Sequence, residues 1–110
     1  MTRDFPESDW KALKQLHPIV LDRYCTQVLR EIEKVAADSN RTAHQRYLEI
    51  FSLIDKRNET MSVAFDDLRR STAFVRLANI CACGLLTEEE KMRFTSETRD
   101  GLRLLAPHDS

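Results

Sequence analysis

Residues 73–86, AFVRLANICACGLL, place the tightest limit on what this chain can become. Eleven of these fourteen residues are apolar, and only Arg76, Asn79 and Gly84 interrupt them. A helix that is apolar around most of its circumference must be enclosed by other helices, so the run predicts an interior helix. Ala73, Ala78 and Ala82 favour helix over strand, and Gly84 followed by Leu85 has the form of a left-handed C-terminal cap with its hydrophobic contact. The run falls short of the roughly 20 apolar residues that cross a bilayer.

The fold expected around it is all-α: a compact array or bundle of five or six helices about a central helix at residues 68–83. With 110 residues the chain is read as one domain, 1–110, large enough to bury about two-thirds of its unfolded surface without disulfide or metal. Two glycines and three prolines are too few for a turn-rich β fold. Seventeen basic against eighteen acidic residues give a net charge of -1, which favours neither nucleic acid nor an anionic membrane. Three cysteines without a C-x-x-C pair fit a reducing compartment. The opening MTRDFPESDW has no apolar run of the signal-peptide kind, so the cytoplasm is the expected location.

In chain order, residues 1–8 read as a flexible lead-in, with Ser8 capping a helix that starts at Asp9. Apolar residues then recur at helical period from Trp10 to Ala36, interrupted by Pro18. Either two helices meet there or one is kinked; the two-helix reading, Asp9–Leu16 and Pro18–Ala37, is preferred because proline disfavours helical angles at His17. Thr42-Ala43-His44-Gln45 has the form of a capping box opening a helix to about Ala64. Along it Tyr47, Ile50, Phe51, Ile54, Met61 and Phe65 share a face. Asp66-Asp67 should cap the central helix. Thr87-Glu88-Glu89-Glu90 is a second capping box, opening a short helix to about Phe94. A last helix, Glu97–Leu105, is anchored by Leu102, Leu104 and Leu105, weakened by Gly101 and stopped by Pro107. Residues 106–110 read as a flexible tail.

Chemistry is sparse. Cys81 and Cys83 sit two apart on a helix, about 200° around it, so they cannot share a metal or form a bridge. Cys83 is the better candidate for a reactive thiol, because Arg76 would favour its thiolate. His17, His44 and His108 lack the i+3 or i+4 partners of a helical metal site. No phosphate loop or nucleophile elbow is present, so no catalytic residue, cofactor or metal is assigned and the chain is not expected to be an enzyme. The central helix, the Gly84 turn and the Glu88 helix outline a helix-turn-helix. Its recognition helix would open with three glutamates, which phosphates repel, so nucleic acid is not an expected partner.

One polar strip resists a purely structural account. Thr72, Arg76, Asn79 and Cys83 recur at helical spacing on the apolar helix, and they form the candidate binding site, facing solvent, a pocket or a second chain. The first long helix carries two apolar stripes, one through Trp10, Leu13, Val20, Tyr24 and Val28, the other through Leu16, Leu21, Cys25, Leu29, Ile32 and Ala36. One stripe seats a helix on a core; the second requires another cover. That cover is either the chain's own N-terminal or last helix or a second copy; on the second reading, which is preferred, Tyr24, Val28 and Leu29 are the candidate interface of a homodimer.

The segment AFDDLRRSTAFVRLANICACGLLTEEEKMRF, residues 64–94, resembles a family of short helical bacterial proteins with no established function, a likeness reaching back to RYLEIFSLIDKRNETM. It implies a bacterial, cytoplasmic helical domain and carries over no site residues. The function expected from the residues is a small interaction or adaptor protein that binds itself or another protein. The alternative is a small-molecule-binding or sensory domain built around Arg76.

Overall fold

Leu13, Leu16, Val20 and Tyr24 are buried on both sides of Pro18, and that single fact decides the first element. In a computed structural model describing residues 5–105, α1 runs unbroken from Glu7 to Ala36 with Pro18 inside it. The preferred two-helix reading is thus overturned. Proline removes one backbone hydrogen bond and crowds the preceding turn, costing about 3 kcal/mol. Pro18 is exposed, where water can solvate the freed carbonyl, and the apolar stripe continuing across it more than offsets that cost. His17 beside it has a tertiary role: its Nε2 lies 3.1 Å from the Phe65 carbonyl oxygen, and its ring meets the Phe65 ring edge-on.

From Phe5 onward the lead-in is packed against the body instead of flexible. Phe5 is buried, Pro6 stands at the N-cap position of α1 without a side-chain cap bond, and Ser8, expected to cap, lies within the helix. Arg70 donates from Nε and Nη2 to the Phe5 carbonyl and pairs with Glu7, which fastens this segment to the body. The tails at residues 1–4 and 106–110 lie outside the described residues.

α2 spans Ala43–Phe65 behind the expected box, with Thr42 accepting from Gln45 N–H and Gln45 reaching back to the Thr42 N–H. It passes through the polar stretch DKRNET without a break. Arg57 there turns inward to make a two-point ion pair with Glu31 of α1, while Asn58 is exposed.

α3 is shorter than expected, Ala73–Ala82 instead of 68–83. Residues 66–72 form a loop in which Asp67 takes a left-handed φ of 54°. Thr72 Oγ1 donates to the Asp67 carbonyl and accepts from Arg69 N–H, closing that loop, so Asp66-Asp67 does not cap α3. Gly84 ends α3 at φ 70°, with Gly84 N–H on Cys81 O and Leu85 N–H on Ile80 O, the crossed pair of a left-handed cap. α3 packs against α1, α2 and α5. Ala73, Leu77 and Ile80 are buried; Phe74, Ala78 and Cys81, expected to be wholly enclosed, are half-buried.

α4 is a single turn, Glu88–Lys91, and α5 runs Ser96–Leu105 with Thr95 at its start. Leu102 packs on the core, whereas Leu104 and Leu105 are exposed. Gly101 has a specific use: a Cβ there would stand 3.0 Å from the Phe74 ring, so its absence lets α5 approach α3. The described residues contain no strand, and no helix among them is long and apolar enough to cross a membrane.

Candidate functional site

The polar strip of α3 has a structural occupation. α2 ends at Phe65, which leaves its last carbonyls without intrahelical donors. Arg76 Nη1 and Asn79 Nδ2 both donate to the Val63 carbonyl, at 2.8 and 3.3 Å, and His17 serves Phe65 in the same turn. The negative end of the α2 dipole is the natural seat for an arginine. Thr72, as described, closes the loop before α3. Cys83 is half-buried, and burial pushes its thiol up, away from the thiolate that a neighbouring arginine was expected to promote. The same cause raises Cys81.

Two buried carboxylates, Glu90 and Asp9, also turn out to be structural. Glu90 completes the Thr87 box and accepts two bonds from Arg23 of α1, at 2.8 and 3.1 Å, while Arg23 also donates to Leu85 O. That guanidinium fork holds the Glu90 carboxyl at about 2, below its ordinary 4.5. Since the folded value is depressed, the pair stabilises the fold fully above about pH 4.5, and the contribution disappears as pH falls toward 2. Replacing Glu90 by Gln should cost about 2–3 kcal/mol at neutral pH and flatten the acid limb of urea stability between pH 4.5 and 2. An unchanged acid limb in Glu90→Gln would refute this role. Glu88 and Glu89, by contrast, are exposed.

What remains open is the far half of the α1–α2 hairpin. Tyr24 is the last buried residue of α1, and no residue of α2 before Ala64 is buried. Among the described residues the two helices therefore project as an arm with no third layer on it. The overall extent is 53 × 31 × 24 Å and the radius of gyration 16.8 Å, against about 13 Å for a compact domain of this length. Its register is held by Tyr24 Oη donating to Arg57 O, by Arg57 on Glu31 and by Arg46 on the Ala36 carbonyl, while Arg41 ties the connecting turn to Glu49 of α2. Glu31 is kept below the usual carboxylate range by its bond to Arg57.

This arm carries a run of exposed apolar side chains. Tyr47 and Phe51 are each 67 % exposed and Leu29 57 %, with Ile54 at 40 %. Of the expected interface residues, only Leu29 is on the open surface. Val28 is half-buried against the core, and Tyr24 lies inside it, its ring tilted on Phe65 and its hydroxyl raised above its ordinary pKa by burial. The inward faces are Tyr24, Val28, Glu31 and Val35 on α1 and Arg46, Ile50, Leu53 and Arg57 on α2. At about 100° per residue, the stripe Cys25–Leu29–Ile32 and the stripe Tyr47–Phe51–Ile54 each lie roughly a quarter-turn from that inward line, in the same rotational sense. In an antiparallel pair that puts both on one side of the arm.

Among the described residues no cluster of three or more His, Cys, Asp or Glu could hold a metal ion. Compared with known proteins, the chain matches no family model, no curated protein and no solved structure.

Proposed function

We propose that this chain is a small cytoplasmic interaction module, of the bacterial helical kind its sequence resembles, that self-associates by pairing its α1–α2 arm with the arm of a second copy. α3 is taken as the helix on which the body carrying the arm is assembled. The observation that supports this reading is the aromatic and aliphatic stripe Tyr47, Phe51, Ile54 and Leu29, open on a hairpin that no other described element covers. Large contiguous apolar surface on a soluble chain marks an interaction site. Two hairpins laid face to face make a four-helix bundle, the nearest complete architecture.

A second copy fits because the face complements itself. α2 presents bulky Tyr47 and Phe51, and α1 presents the smaller Cys25, Leu29 and Ile32. A two-fold axis sets each against the other across the interface. Asp22, Glu33 and Asp55, all exposed, flank the stripe and form its polar rim. Two copies would bring these like charges together, so added salt should tighten the dimer by screening them. A basic partner protein would show the opposite dependence. Changing Phe51 to Glu should weaken association at least tenfold while leaving the helical content of the single chain unchanged, since Phe51 is exposed there. Sedimentation velocity on both proteins reads the outcome, and a Phe51→Glu protein that associates as wild type contradicts the proposal.

A further inference from the structure

Away from the arm, the last third of the chain encloses a cleft of about 510 Å³ between α3, α4 and α5, within the size range of small-molecule sites. Its apolar wall is built by Ala78, Cys81, Ala82, Leu102 and Leu105, none of them aromatic. The burial that keeps the Cys81 thiol protonated leaves this wall uncharged. Three cations border it, Lys91, Arg99 and Arg103, against one carboxylate, Glu88.

The cations are not equivalent. Lys91 is taken by Glu88 and Arg103 by Asp100, each at 3.2 Å. Arg99 is half-buried, its Nη1 lies 2.8 Å from the Met92 sulfur, its Nε is buried without a hydrogen-bond partner, and no described carboxylate pairs with it. A thioether is a poor acceptor, and a partly desolvated guanidinium leaves strong donors unused beside it. The ordinary alternative is a guanidinium solvated at the cleft mouth; its seat against the Met92 thioether and beside the apolar wall, with no carboxylate among the described residues paired with it, is what argues against it. A guanidinium fork matches a carboxylate in shape and charge. Phosphate esters would ask for more free cations, and an aromatic ligand would find no ring to stack on.

From this we infer that the cleft binds a small aliphatic carboxylic acid, its carboxylate on Arg99 and its alkyl chain along Ala78, Cys81 and Leu102. The test titrates the full chain by calorimetry with decanoate, decanol and acetate. Decanoate should bind saturably and at least tenfold more tightly than decanol, which lacks the head group, or acetate, which lacks the tail. Arg99→Gln should weaken decanoate at least tenfold with decanol unchanged, and Arg103→Gln should have a smaller effect. Ala82→Phe, which fills the cleft, should remove binding of both; circular dichroism confirms that each variant is folded. Equal affinity for decanoate and decanol, undiminished binding by Arg99→Gln, or no saturable decanoate binding to the wild-type chain would each overturn the inference.

Discussion

Replacing Asp9 by Ala should destabilise the protein by about 3–5 kcal/mol, the largest loss expected from any single change of a polar residue. Asp9 is 0 % exposed in the first turn of α1 and accepts three bonds from the start of α5: Thr95 N–H at 2.8 Å, Thr95 Oγ1 at 2.8 Å and Thr98 Oγ1 at 2.5 Å. The positive end of the α5 dipole faces it as well, so an anion is held by donors and by field together. Alanine would leave a buried amide and two hydroxyls without an acceptor. Asparagine keeps the shape but turns an NH2 toward donors, and should cost about 2–3 kcal/mol. Thr98→Val removes a single donor and should cost about 1 kcal/mol. Urea unfolding of the three variants tests the order, and hydrogen exchange should show α5 amides losing protection first. An Asp9→Asn protein within about 0.5 kcal/mol of wild type would mean that α5 is held by other contacts.

Leu77→Ala should cost about 2–5 kcal/mol, the usual range for a leucine whose removal opens a cavity. Leu77 is fully enclosed in the core, on the helix whose neighbours are α1, α2 and α5. Val75, two positions away, is 55 % exposed, and Val75→Ala should stay within about 0.5 kcal/mol. The pair separates the general effect of shortening a side chain in α3 from the effect of burial. A Leu77→Ala loss below about 1 kcal/mol contradicts the placing of α3 at the assembly point of the body.

What could be read from the sequence was chiefly what is local. The Thr42–Gln45 and Thr87–Glu90 boxes involve residues three apart, and the Gly84 cap needs only a residue free to take positive φ; all three are present as written. Asp9 illustrates the limit. Its place at a helix start was legible, but its partners lie 86 and 89 residues further on. Glu90 was read as a cap, which it is, yet nothing local announces Arg23, 67 residues away. At Pro18 a sound local rule lost to burial on both sides of it. The α3 strip was visible by spacing, but its partner is the Val63 carbonyl, which no side-chain pattern reveals.

The candidate surfaces follow the same division. Two apolar stripes on α1 were evident, and the surplus over one core-facing stripe already called for a second cover. Which stripe stays open depends on tertiary placement: Tyr24 goes to the core and Leu29 remains outside. On α2 the single apolar face read from spacing divides in the structure. Ile50, Met61 and Phe65 turn inward, while Tyr47, Phe51 and Ile54 stay out. The cleft beside Arg99 draws on residues scattered from 78 to 105 on three elements, and no spacing rule gathers those.

Self-association of the arm is the central claim, and mass in solution tests it most directly. Light scattering on the wild-type chain at tens of micromolar should return twice the 12.8 kDa of one chain, moving further toward that value as salt is raised from low to physiological strength. A mass that stays at 12.8 kDa across that range of protein and salt would contradict the account.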